Sequence, residues 1–576
     1  MKHHIFNTYT MKRMISFFVG AVMTVSTATQ AQNVSSCEKQ AEELKSFNQK
    51  YPQEKVFLHM DNTCYFLGDT IWFKAYTRQT DTGAPSGKSG VLYVELLNHD
   101  GYLMERKLIE MSQGEGHGFF HLKNDSSLYS GFYELRAYTR WQLNWGEYEH
   151  KKTQASRKWF FNKTMEYEFF RDYEKLYSRV FPVFDRPDTA GDHTPRMTLR
   201  PLRRPAYRRE RESPLRLTLY PEGGNLVQGL PCRVAFEACR ENGEWVEGTL
   251  SLVENDVQTG HAIATQHRGR GSFSITPGAD KAQRVQFTSK DGERVTATLP
   301  RAESSGASLN VVRQGADWTM HCRLSADIQP SAVGLTVSYE GKILGFYTFR
   351  GNNERFTFEP PQGISGVYQA TLFTEDGKVL ADRLFFHRTP GMAVAPLQVE
   401  GLRAEYAPYD SIRISLQGKD VHHNTPFSLA VRESGTSMGN HDTGNILTEM
   451  LLASEIRGFV PDPGWYFEQD DSVHRTALDL LMMTQGWRRF RWQDMAVKGA
   501  LEQTQPREKQ LMLKGRVYPS NPADPRLREL EDQSKELQSA SENDEKAQQE
   551  KKNRQKEKRQ KKTTTKSSWT KRNWRI

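Results

Sequence analysis

Apolar and polar positions alternate with a period of two along most of this chain, in short runs divided by Gly, Asn, Asp and Pro. In Thr70–Tyr76, Ile71, Phe73 and Ala75 fall on one face. Val91–Leu96, Gly118–Leu122 and Gly131–Tyr138 follow, then Leu217–Tyr220, Arg233–Ala238, Gly271–Pro277, Gly334–Tyr339 and Gly366–Phe373. Short alternating runs with turn residues between them predict half-buried antiparallel strands. The fold class expected is mainly β, as tandem Ig-like antiparallel sandwiches. Further strands are expected at Ser411–Leu416 and Phe427–Val431. The period then changes: Asn445–Ser454 and Arg475–Thr484 have helical spacing, parted by Gly458, Pro461, Pro463 and Gly464, and Gly486 is a natural helix stop.

These runs divide the chain into expected segments. Residues 1–31 read as a secretory signal, with Lys12 and Arg13 ahead of an apolar stretch and a cleavage site at Thr29-Gln30-Ala31. A short linker, 32–54, precedes a first sandwich at 55–170. An Arg/Pro-rich linker spans 171–214; a second sandwich takes 215–303 and a third 304–392. A fourth β-domain with a helical insertion covers 393–500, the start of a further β segment 501–520, and a charged low-complexity tail 521–576. Val34-Ser35-Ser36-Cys37 resembles a lipobox, but Cys37 lies well past the apolar run, so a mature start near Gln32 is the reading preferred over lipidation.

Charge narrows the partners. The net charge is +9, but residues 546–576 alone hold 13 Lys and Arg against Glu550 and Glu557, leaving the rest at −2. A basic tail on a near-neutral body implies no nucleic-acid face. No run after the signal reaches the roughly 20 apolar residues of a membrane helix, so membrane association is peripheral at most. Five cysteines at irregular spacing suit buried thiols better than a disulfide framework or a zinc site.

Catalytic patterns are missing from the sequence: no H-E-x-x-H, no G-x-S-x-G, no phosphate-binding loop. His117 and His121 share a strand face without a third ligand, so no metal, no cofactor and no catalytic residue are expected. The weight falls on aromatic clusters. Trp141, Trp145, Trp465, Tyr466 and Trp487 are the candidate contact residues if they are exposed, and plugs of domain junctions if they are not.

The stretch Lys55-Val56-Phe57-Leu58-His59-Met60-Asp61, with Tyr65, Gly68 and Thr70-Ile71-Trp72-Phe73, resembles the opening of the second macroglobulin domain of the α2-macroglobulin superfamily. Asp61, Tyr65, Gly68 and Phe73 carry the motif, while Asn62 stands where Lys is usual. Leu92–Leu96, Ser130–Thr139, Tyr220-Pro221-Glu222-Gly223-Gly224 and Leu478–Arg489 resemble segments of exported Bacteroidetes proteins with that domain. Longer members of that group are similar to a TonB-dependent receptor plug at their C-terminal end. Leu513–Tyr518 looks like the start of a next β-domain, after which the likeness stops: either the protein ends in a basic tail, or it is the front of a longer chain truncated or frameshifted near residue 520. The resemblance implies macroglobulin-like sandwiches and an exported, non-enzymatic envelope protein of the periplasm or outer membrane. Its expected partners are envelope proteins: an outer-membrane receptor or a protease. No Cys-Gly-Glu-Gln tetrad is present, so protease trapping through a thioester is not expected. A protease-binding reading then rests on Arg196–Arg216, with eight Arg, as bait. A glycan-binding module is the third reading.

Overall fold

The first sandwich shows how the alternation folds. In this computed structural model the described residues are 37–512, less 81, 99–102, 126–127, 146–175, 190, 198–213, 241–243, 255–256, 279–282, 329–332, 390–391, 393–397, 419–426, 433–443, 457–459 and 487–491, together with Asp532 and Lys535. The signal segment and Trp487 fall outside them, as do most of the Arg-rich linker and nearly all of the tail.

Strands β1 (Glu54–Met60), β3 (Thr70–Gln79) and β6 (Glu115–His121) form one sheet in that order. β2 (Tyr65–Phe66), β8 (Tyr177–Phe184), β7 (Gly131–Tyr138), β4 (Val91–Leu97) and β5 (Leu103–Glu110) form the other. All pairs are antiparallel except β2 with β8. Leu58 lies opposite Ala75 and Phe73 opposite Gly118. The in-phase residues Val56, Leu58, Ile71, Phe73 and Phe120 meet Leu92, Val94, Leu135 and Phe181 in one core. Each such side chain contributes about 1.5–3 kcal/mol on burial. A Cβ on Gly118 would come within 2.6 Å of the Phe73 ring, so that strand position takes only glycine.

The second sandwich pairs the sheet β9 (Leu215–Pro221), β10 (Cys232–Arg240), β13 (Arg270–Ile275) with β11 (Gly248–Glu254), β12 (Val257–Ala264), β14 (Arg284–Ser289), β15 (Arg294–Thr298). Val234, Phe236, Leu250, Val285 and Phe287 fill its core. The third is built from β16 (Ala307–Gln314), β17 (Asp317–Leu324) and β20 (Asn353–Phe358) against β18 (Val333–Tyr339), β19 (Lys342–Phe349), β21 (Gly366–Thr374) and β22 (Val379–His387). Met320, Cys322, Leu335, Val337, Leu372 and Phe385 are its centre. The mainly β, multi-sandwich class expected from the sequence is the class found.

Several boundaries move. Residues 37–50, expected as linker, form a helix, α1. β8 lies inside the expected 171–214 linker and belongs to the first sandwich, because Tyr177, Val180, Phe181 and Val183 have apolar partners in that core. Among the described residues of the expected fourth β-domain, only β23 (Gln398–Glu400) and β24 (Ser415–Gln417) pair, and 427–432 carry no strand. The expected β segment at 501–520 is not a strand over its described part, 501–512.

Among the described residues the α-helices α2 (Ile446–Leu451), α3 (Trp465–Glu468) and α4 (Ser472–Thr484) follow. Asp471 caps α4, accepting from His474 N at 2.9 Å. One side of α4, with Ala477, Leu478, Leu481 and Met482, packs on Val367, Leu384 and Phe386 of the third sandwich. Leu480 and Met483 pack on Ala235 of the second. Helix α4 is thus a wedge between two sandwiches. By compactness residues 1–511 form one unit and 512–576 a second.

Candidate functional site

The sequence motifs converge on the junctions between domains. Asp61 accepts from the Tyr65 hydroxyl at 2.7 Å and from Trp72 N at 3.0 Å. Gly68, at φ +102°, turns the chain from β2 into β3. Burial, and then the Asp61 carboxylate, push the Tyr65 hydroxyl well above the usual phenol range, so it stays a donor. Asp61, Tyr65, Gly68 and Phe73 therefore fix the strand entry of the first sandwich and offer no free chemistry.

Glu222, of Tyr220-Pro221-Glu222-Gly223-Gly224, lies with Asp479 of α4 around two arginines. Arg383 on β22 reaches Glu222 Oε1 with Nε at 3.0 Å and Asp479 Oδ1 with Nη2 at 2.5 Å. Arg233 on β10 bonds the other Asp479 oxygen and lies 3.5 Å from Glu222 Oε2. Val311 N and Asn310 Nδ2 also donate to Glu222, at 3.2 and 2.6 Å. The side chains of Glu222 and Arg383 are 1% and 2% exposed. Burial opposes the Asp479 charge, but Arg383 and Arg233 outweigh it and hold that carboxyl below its ordinary range.

A second charged junction centres on Lys55, whose side chain is buried. Its Nζ lies 2.8 Å from Glu455 Oε1, donates to the Met450 carbonyl at 2.6 Å and pairs with Glu340. Glu340 holds φ +49° in the two-residue turn Glu340-Gly341 between β18 and β19. One ammonium thereby ties the first sandwich, the third sandwich and the helical layer. Lys55, Glu222 and Asp479 stand in segments singled out in the sequence. Arg383 was missed, although a charged residue within the apolar run Val379–His387 is a readable signal.

The aromatic candidates resolve as plugs. Trp141 and Trp145 are buried with Leu44, Phe47, Phe373, Trp492 and Cys37 between α1, the first sandwich and the third. Cys37 is packed in that cluster, with its thiol away from solvent. Tyr466 is buried too. Trp465 is half-buried, stacked on His267 at 3.9 Å and on His474 at 4.3 Å. Trp487 lies outside the described residues. Trp141, Trp145 and Tyr466 are therefore not solvent-facing: α1, Trp492 and the third sandwich cover Trp141 and Trp145, Arg507 lies over the Trp141 ring, and Tyr466 is packed beside α4 and β22.

Two exposed aromatics, Trp72 and Phe119, lie with ring centroids 4.9 Å apart on the outer face of the β1-β3-β6 sheet. Lys107 Nζ stands 4.6 Å from the Phe119 centroid. His117 and His121 share that face. Among the described residues no three His, Cys, Asp or Glu side chains gather as a metal site. Burial pushes the Cys232 and Cys322 thiols up to about 12, which keeps them protonated and unreactive. Among the described residues no helix is long and apolar enough to cross a membrane.

The fold and its junctions define a multi-domain antiparallel β-sandwich protein whose domains are held together by buried charge. No family model matches the chain, and no curated protein matches it. Among solved structures it is similar to native Escherichia coli α2-macroglobulin, at 12% identity, over 64% of this chain and 25% of that one, with TM-score 0.16. Salmonella α2-macroglobulin reacted with methylamine gives the same figures. Dimeric latent PorU from Porphyromonas gingivalis is 12% identical over 59% of this chain and 34% of that one, with TM-score 0.24. The chain thus spans a quarter to a third of the length of these structures. The architecture above rests on this chain's own strands.

Proposed function

We propose that this chain is an exported cell-envelope protein, without catalytic chemistry, that binds and assembles other envelope proteins beside an outer-membrane TonB-dependent transport system. One observation carries the reading. The charged residues with the most elaborate pairing, Lys55, Glu222, Arg383 and Asp479, are spent on fixing domains together, while apolar side chains are left on outer surfaces at Trp72, Phe119, Phe427, Leu429 and Val431. Buried, paired charge suits a scaffold, and exposed clustered apolar area suits an interface. The signal-like N-terminus supplies the export. Cell fractionation with N-terminal sequencing tests that part: a mature chain starting near Gln32 in the envelope is expected, and an uncleaved cytosolic chain overturns it.

A glycan-binding reading is favoured by the Trp72–Phe119 pair, since a flat aromatic platform flanked by His117, His121 and Lys107 suits a sugar ring face. Binding on a glycan panel that is lost in Trp72→Ala would move the assignment there. A protease-binding reading depends on Arg196–Arg216, most of which lies outside the described residues. A protease that cuts there and stays bound would support it.

A further inference from the structure

Residues 503–510 return to the first sandwich as an irregular strap, held through its main chain and through its side chains. The Asn144 side chain accepts through Oδ1 from Thr504 N at 2.9 Å and from Gln505 N at 2.8 Å. Its Nδ2 donates to the Gln505 carbonyl at 2.9 Å. Gly90 N donates to the Glu508 carbonyl at 2.7 Å. A Cβ on Gly90 would stand 2.0 Å from the Lys509 carbonyl oxygen, so bare backbone at Gly90 is what admits the strap. Around this main-chain clamp lie side-chain subsites. Arg140 donates to Gln505 Oε1 from Nε at 3.0 Å and from Nη2 at 2.8 Å. Arg140 Nη1 and the Tyr93 hydroxyl meet Glu508 Oε1 at 3.3 and 3.1 Å. The Arg507 guanidinium lies over the Trp141 ring at 3.9 Å.

The strap's own charged groups fit this surface incompletely. Among the described residues, Arg507 Nε and Nη2 and Glu508 Oε2 are buried with no hydrogen-bond partner. A cavity of about 480 Å³ lies beside them, bounded by Lys50, Trp141, Gln503, Pro506 and Arg507. Buried polar atoms are normally satisfied, so Arg507 and Glu508 hold the strap through the Trp141 ring and the Arg140 and Tyr93 bonds while part of their own bonding capacity stays unused. The clamp therefore matches any peptide main chain, while this occupant leaves donors, an acceptor and space unused.

We propose that the surface formed by Gly90, Tyr93, Arg140, Trp141 and Asn144 is a peptide-recognition groove. The chain's own strap fills it in cis and exchanges for a segment of another polypeptide. The ligand class is an unstructured peptide that offers two consecutive residues to Asn144, then an arginine for Trp141 and a carboxylate for Tyr93 and Arg140. The proposal rests on the reading of the chain as a binding module, and names its surface and ligand. Because the strap is tethered, it competes at a high effective concentration. The intact chain should bind a free peptide weakly, and a chain with a loosened strap should bind it well.

The test uses the full-length chain and a fluorescent synthetic peptide with the sequence of residues 503–510, read by anisotropy. The strap variant Arg507→Ala/Glu508→Ala should bind this peptide at least tenfold more tightly than the unaltered chain. Adding Asn144→Ala should remove the gain. A control independent of chain folding replaces the arginine and glutamate of the peptide with alanine, and should cost at least tenfold. Equal binding by the loosened and unaltered chains, or by the two peptides, overturns the groove. If envelope partners still copurify in that case, the groove alone fails. If they do not, the binding-module reading fails with it.

Discussion

The third sandwich and the segment 398–431 share one alternating pattern and end in opposite environments. In β21, Tyr368, Ala370 and Leu372 enter the third core. On the other face, Val367 lies under α4 and Phe373 under α1 and Trp492. The strand is covered twice. In the hairpin Val399 stands opposite Leu416, in phase with Ile412 and Ile414, yet Val399 and Ile412 are exposed. Beyond it Phe427, Leu429 and Val431 are 59%, 57% and 75% exposed, while Ser428 between them meets His59 and Tyr76 of the first sandwich. Alternation decides which residues share a face. Whether that face is buried depends on a second layer, which reaches β21 and not the hairpin.

The strongest way to break the comparison is to remove the charge shared by the second sandwich, the third and α4. Arg383→Met should cost about 3–5 kcal/mol, because Glu222 stays buried with its nearer cationic partner gone. The denaturation midpoint should fall, and amide exchange should accelerate in β22 and α4 while 398–417 keeps its rate. Unchanged protection in α4 would show that the junction holds without Arg383.

Within the third core, Leu372→Ala should cost about 2–5 kcal/mol through lost burial and a cavity, as read from urea unfolding. A loss below about 1 kcal/mol would mean that the doubly covered strand is packed more loosely than its burial implies.

Acid should separate the two regions more gently. The Trp318 indole donates to His387 Nδ1 at 3.1 Å, which requires a neutral imidazole. Burial, and then the Arg313 charge, lower His387 to about 4 against an ordinary 6.5. A folded value below the unfolded one contributes stability that is full above about pH 6.5 and declines as pH falls towards 4. His267, lowered to about 4 by burial and then by Arg268, acts with the same sign. The unfolding midpoint should therefore drop between pH 6.5 and 4, and His387→Asn should flatten that drop. An equally steep drop in the variant would assign the effect elsewhere.

The smallest effect is expected outside the cores. Leu429→Ala should change stability by no more than about 0.5 kcal/mol, since its side chain already meets water. A cost comparable to Leu372→Ala would mean that this surface is covered in solution.

Much of this architecture was legible in the sequence, for a local reason. A period of two fixes side-chain faces strand by strand, so the antiparallel sandwich class, the inward residues of the strands that alternate and most of helix α4 follow from spacing, while β8, inside the expected linker, does not. Trp72 could have been read as outward, because it lies out of phase with Ile71, Phe73 and Ala75 on β3. The motif segments were legible as segments, but their task was not. Glu222 meets Arg383 across 161 positions and Lys55 meets Glu340 across 285, distances at which no local pattern carries information. The same limit explains the aromatic residues: Trp141 and Trp145 are as apolar as Trp72, and it takes the arrival of α1, Trp492, the third sandwich and, at Trp141, Arg507 to bury them. Which residues share a strand face is set locally, by backbone geometry and alternation. Which faces meet water and which charges find partners is set by the assembled fold, because both depend on layers brought together from distant parts of the chain.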